Sequence, residues 1–191
     1  MHHFPPTFCL HESGTPVGLN ALHDLLQHPL DQCPPSGSLM VHARTARSVL
    51  MGLLASMRSR DVYLVRDASM LPSRVDWQLN ADFTWLPRQQ ANHPPALWLQ
   101  TSGTTGRPKW VAHRPEHLLQ TVSAGSAGQA VWLLTYAPGS FAGVQVMLAA
   151  LQGGHTLLSH GADPCIEDFV ELSVRLGATH VSGTPTFWRA F

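Results

Sequence analysis

Nine consecutive residues, Thr101-Ser102-Gly103-Thr104-Thr105-Gly106-Arg107-Pro108-Lys109, gather the groups that a phosphate needs. Thr101, Ser102, Thr104 and Thr105 supply hydroxyls, each able to donate and accept a hydrogen bond. Gly103 and Gly106 remove side-chain bulk where backbone N–H groups must come close to a ligand. Lys109 adds a positive charge at the end, and successive amides in a concave turn form an anion-binding nest. This is not the G-x-x-x-x-G-K-[ST] loop that opens directly into a helix, because Pro108 precedes the lysine and Trp110 follows it. A Gly/Ser/Thr cluster between two strands can also be a plain connector.

Other routes to chemistry are poorly supplied. The sequence holds 12 histidines. His113 and His117 are spaced four apart, as paired ligands on a helix can be, yet there is no H-E-x-x-H arrangement and no third ligand is indicated. Surface or capping roles suit them better. There is no G-x-S-x-G elbow, and neither Ser126 nor Ser140 has the flanking glycines that would display a nucleophile. The three cysteines, Cys9, Cys33 and Cys165, are far apart and form no C-x-x-C pair, which points to a reducing, cytoplasmic setting.

The elements that must position the loop can be read on either side of it. Leu97 to Gln100 reads as a strand entering the loop, Trp110-Val111-Ala112 as a short extended piece leaving it, and Pro115 as the start of a helix. Upstream, Leu19, Leu22, Leu25 and Leu26 recur at helical spacing, with Pro29 and then Pro34-Pro35 punctuating the segment's end, and Leu39-Met40-Val41 reads as a buried strand. Thr45 stands as a cap before the amphipathic series Val49, Leu50, Leu53, Leu54, Met57, and Val62 to Val65 forms the next strand. Ser69 to Pro95 gives no assignable element. Downstream, strands at Val131 to Thr135, His155 to Leu158 and His180 to Ser182 alternate with helices at Val144 to Leu151 and Ile166 to Leu176. Such alternation predicts an α/β fold with a largely parallel sheet and flanking helices. Residues 1–15, rich in Pro, His and Gly, read as an irregular lead-in.

Composition narrows the function classes. Of 191 residues, 44% are hydrophobic and 13% charged, which excludes a disordered chain. Twelve basic residues balance 12 acidic ones, so there is no broad positive field for nucleic acid or an anionic membrane. The longest apolar run, Val144 to Leu151, falls far short of the roughly 20 residues that span a bilayer. The N-terminus lacks the basic and apolar regions of a signal peptide.

The string TSGTTGRPK at 101–109 resembles the phosphate-binding signature of the adenylate-forming (AMP-binding) enzyme superfamily, which includes acyl-CoA synthetases, nonribosomal-peptide adenylation domains and luciferases. The resemblance covers residues 16–191 as a partial AMP-binding domain, best matched over 96–191. It implies ATP and Mg2+ as cofactors and a carboxylic or amino acid substrate converted to an acyl-adenylate, with CoA or a carrier protein as thiol acceptor. It also implies that Thr101, Ser102, Gly103, Thr104, Thr105, Gly106 and Lys109 bind the nucleotide phosphates, and that Phe141, in the loop Tyr136 to Gly143, lines the acyl pocket; a core role is the alternative for Phe141. Departures are Trp110 where many members carry Gly, and Pro115 where many carry His. The family's adenine- and magnesium-contacting segment, its ribose-binding Asp and its C-terminal lysine have no counterpart here. The resemblance therefore implies the first part of a ligase, either a split subunit completed by a second polypeptide or a piece of a longer chain, with a homo-oligomer as the fallback for covering its open sheet edge; the alternative is a non-catalytic binding or assembly module.

Overall fold

The alternating strands and helices resolve into two sheets with helices between them. The computed structural model describes residues 3–32, 37–66, 77–78, 83–87, 94–101, 109–122, 128–161 and 164–191. In chain order the strands are β1 (Cys9–Glu12), β2 (Thr15–Gly18), β3 (Gly37–His42), β4 (Asp61–Val65), β5 (Trp77–Gln78), β6 (Phe83–Pro87), β7 (Leu97–Thr101), β8 (Lys109–His113), β9 (Val131–Leu134), β10 (Thr156–Ser159) and β11 (His180–Ser182). The helices are α1 (Leu19–Gln32), α2 (Ala46–Ser56), α3 (Pro115–Gln120), α4 (Phe141–Gly153), α5 (Ile166–Leu176) and α6 (Pro185–Ala190).

The first sheet has the order β11-β9-β10-β1-β2 and is parallel except for β2. The second has the order β5-β6-β3-β4-β7-β8, with a parallel centre, β3-β4-β7, flanked by antiparallel pairs. One core joins the sheets: Leu39, Val41, Val62, Leu64, Leu97 and Leu99 from the second meet Leu10, Leu134 and Leu157 from the first through apolar faces of α1 to α4. On the far side of the first sheet, Leu133 and Leu158 pack against Phe169 and Leu172 of α5. Strand alternation explains the division, since neighbouring residues of β9 and β10 face opposite layers.

The expected helix at 144–151 extends to Phe141–Gly153. Ser140 Oγ accepts from Gly143 N at 3.0 Å at its start, and Gly154 closes it in the left-handed region at φ 64°. Thr45 caps α2 as expected, its hydroxyl accepting from Ser48 N at 3.1 Å.

Three expectations are corrected. Residues 1–15 are not wholly irregular: β1 lies inside the first sheet, paired in register with Thr156–Ser159 of β10. Of the prolines expected to punctuate the end of α1, Pro29 and then Pro34-Pro35 (the latter outside the described residues), Pro29 lies inside the helix, which continues to Gln32; Pro29 and Leu30 are both buried there, and packing outweighs the loss of one late N–H donor. The stretch 69–95 holds β5 and β6, while its other positions from 69 to 93 lie outside the described residues.

Candidate functional site

The parallel strands of both sheets end along one rim, the place where open α/β sheets present ligand-binding loops. Several polar ties hold it. Glu12, at the end of β1 and only 4% exposed, accepts from Ala46 N at 2.7 Å and Arg47 N at 3.3 Å, so a carboxylate completes the first turn of α2. Ser159 Oγ, at the end of β10, donates to the same carboxylate at 3.2 Å. Ala43 N donates to Val65 O at 2.8 Å, and Arg66 N donates to Gln100 Oε1 at 2.9 Å, linking the ends of β3, β4 and β7. Thr135 Oγ1 donates to Ser182 O between β9 and β11.

The two sheets meet at Gly139. A Cβ there would lie 2.5 Å from Ala43 Cβ and 2.9 Å from Arg66 Cγ. Only glycine admits this approach, which sets the turn after β9 directly against the ends of β3 and β4.

Of the sequence-identified phosphate residues, Thr101 and Lys109 are described; Ser102, Gly103, Thr104, Thr105 and Gly106 lie outside the described residues. Thr101 and Lys109 are directly opposite each other as the closing pair of the antiparallel β7-β8 ladder, and Thr101 Oγ1 donates to Lys109 O at 3.3 Å. Both side chains are exposed. Thr101 and Lys109 therefore stand together at one point on the rim, with a cation on the β8 side.

Phe141 is the first residue of α4 and is 44% exposed, so it is not a core phenylalanine. Its ring lies 5.3 Å from that of His113 at the end of β8. Burial pushes the His113 imidazole below its ordinary pKa, which favours a neutral ring against Phe141. Alternation along β8 places Lys109, Val111 and His113 on one face. That face runs from an exposed charge, through exposed Val111, to the aromatic pair. Sequence reading missed the pair, because His113 and Phe141 are brought together only by tertiary packing. His117 does not join His113, since it lies in α3 beyond the turn at Arg114. Among the described residues no group of three or more His, Cys, Asp or Glu could hold a metal, and no helix is long and apolar enough to cross a membrane.

Comparisons with known proteins agree with this architecture. The family model described as AMP-binding enzyme matches residues 15–191. The N-terminal subdomain of NpsA from Klebsiella oxytoca is similar in structure, with TM-score 0.63 and 15% identity over 90% of this chain and 56% of that one. O-succinylbenzoate coenzyme A synthetase (MenE) from Bacillus subtilis, in complex with ATP and magnesium ion, gives TM-score 0.65 and 14% identity over 95% of this chain and 47% of that one. The amide bond synthetase McbA from Marinactinospora thermotolerans gives TM-score 0.58 and 20% identity over 93% and 47%. The chain thus spans about half the length of these structures. No curated protein sequence matches it.

Proposed function

Because the chain belongs to the AMP-binding enzyme family, we propose that it is the N-terminal portion or subunit of an ATP-dependent ligase that activates a carboxylic or amino acid as its adenylate. The observation that carries this reading is the closing of the Thr101–Lys109 pair on the rim, at the start of the strand whose other end, His113, lies against Phe141. In the reaction, a carboxylate oxygen attacks the α-phosphorus of ATP, the acyl-phosphate bond forms, and the bond to the β-phosphate oxygen breaks with its electron pair leaving on pyrophosphate. Lys109 and the hydroxyls and amides of residues 101–106 hold the β- and γ-phosphates and offset the charge that gathers on the leaving group.

The acyl group would extend along the β8 face toward His113 and Phe141, whose rings form an apolar, neutral wall. Solved neighbours carry such groups: MenE is described with the acyl-adenylate OSB-AMP, and NpsA with 3-hydroxybenzoyl-AMSN. Mg2+ travelling with ATP would neutralise phosphate charge; no described residue is assigned to it. The adenine and ribose contacts and the thiol acceptor, CoA or a carrier protein, belong to the rest of the fold, supplied by a second polypeptide or by further chain.

Carboxylate-dependent ATP–pyrophosphate exchange tests this reading. The 191-residue chain alone is expected to be inactive and to gain exchange when the remainder of the fold is supplied. In that assembly Lys109→Ala should lower activity roughly tenfold or more, the size of one lost charge-assisted contact, without changing the unfolding midpoint. Gly103→Val should act similarly by blocking backbone approach. Activity unchanged in both variants would reduce the loop to a connector.

A further inference from the structure

β8 delivers its residues alternately to two faces, and the face opposite Lys109 carries an aromatic assembly. Trp110 is the cross-strand partner of Gln100 on β7. Its ring nevertheless reaches past β7 to Tyr63 on β4, at 5.3 Å and 85°, and it packs against Met40 of β3 and Val65 of β4. Tyr63 in turn stacks on Trp98 of β7 at 5.3 Å and 5°. The indole therefore spans the sheet from its edge strand to β3, on the face where Gln100 is also carried. Gln100 is only 6% exposed, and while its Oε1 accepts from Arg66 N, its Nε2 has no partner among the described residues.

We propose that Trp110 is a positioning residue for Lys109: by anchoring on Tyr63, Met40 and Val65 it fixes the register of β8 and so the face to which the lysine is delivered. This rests on the phosphate role of Lys109 proposed above. The physical reason is the two-residue period of a strand. A slip of one residue would exchange the faces of Lys109 and Trp110, carrying the charge onto the aromatic surface and the indole toward α4. The lysine's own foot resists a slip weakly, since Thr101 and Lys109 are exposed and the bond from the Thr101 hydroxyl to the Lys109 carbonyl is 3.3 Å long. An indole seated across three strands supplies the discrimination that an exposed closing pair lacks.

The test measures binding of inorganic pyrophosphate to the full chain by calorimetry. Trp110→Ala should weaken binding about as much as Lys109→Ala, roughly tenfold, and Trp110→Phe should restore it to within about twofold. Leu158→Ala, which removes a buried contact in the separate cluster behind the first sheet, should leave affinity within about twofold despite its loss of stability. In the Lys109→Ala background, Trp110→Ala should weaken binding no further. Unchanged affinity in Trp110→Ala, an equal loss in Leu158→Ala, or additive losses in the double variant would overturn the proposal. If the wild-type chain binds no pyrophosphate, the reading of Lys109 fails, and amide exchange over 109–113 decides this one separately. Trp110→Ala must then speed that exchange at least about tenfold with β9 and β10 unchanged, and Phe must restore it; unchanged exchange overturns the proposal.

Discussion

At the end of β1 a buried carboxylate, Glu12, gathers two backbone amides of α2 and the hydroxyl of Ser159, and every participant is shielded from water or nearly so. At the end of β7 the closing residues Thr101 and Lys109 face solvent, and order comes from the aromatic surface on the opposite side of the strands. The first arrangement fixes a junction between a strand and a helix, with the carboxylate taken up by its own chain. The second holds a strand pair from behind and leaves its front open. The difference bears on where the proposed function seats its anion: the rim at β1 already has a carboxylate, supplied by its own chain, and among the described residues the rim at β7 does not.

That contrast can be broken from the stronger side first. Glu12→Ala leaves the first amides of α2 buried without an acceptor, and chemical denaturation should show a loss of about 2–4 kcal/mol. Glu12→Gln, which keeps one acceptor oxygen, should lose about half as much. A loss under about 1 kcal/mol for Glu12→Ala would mean that water replaces the carboxylate and that the junction is as open as the one at β7.

Gly139→Ala comes next. Its Cβ would meet Ala43 Cβ at 2.5 Å, so the turn must retreat from the ends of β3 and β4, at a cost of about 1–3 kcal/mol. Gly161→Ala is the matched control, because there the new Cβ meets only Ser13 Oγ at 3.6 Å; it should stay within about 0.5 kcal/mol. Equal effects would separate the two sheet ends and undo the single rim.

The smallest effect lies away from both strand ends, where α1 meets α2. His23 Nδ1 is 2.8 Å from Arg58 Nη2 and must accept from it, so the ring there is neutral. Burial first, then the Arg58 charge, hold its pKa below the ordinary 6.5, against an opposing pull from Asp24. A depressed pKa contributes stability that is present above pH 6.5 and is lost as the pH falls below it. Between about pH 7.5 and 5.5 the wild type should lose slightly more stability than His23→Gln. Parallel pH profiles for the two proteins would remove His23 from the account.

Much of this was legible in the residues, and the exceptions share a cause. Ile166–Leu176 was bounded correctly because its amphipathic series runs into Gly177. The strands that enter and leave the 101–109 segment were legible because each is a local apolar or extended run. β1 was not, because its buried positions are Leu10 and Glu12, and a glutamate counts toward the surface until the amides that receive it are known. His113 and Phe141 were each visible, but their pairing depends on packing between β8 and α4. Trp110 stood out only as a departure from a familiar string; the surface that receives it comes from β3 and β4. Local chemistry is written in consecutive residues, whereas partners supplied across the sheet are not.

The place of β1 between β2 and β10 has a consequence for how the chain is made. Contacts such as Thr7 Oγ1 to Gly154 O and Ser159 Oγ to Glu12 close over 147 residues. At roughly 5–20 residues per second on the ribosome, β1 waits about 7–30 s for β10. During that interval it can pair only with β2, and a lone two-stranded ribbon is marginal in water. Phe8 and Leu10, fully buried at the end, are then exposed, so the nascent chain passes through a window in which a chaperone or a misplaced strand competes for its first apolar residues.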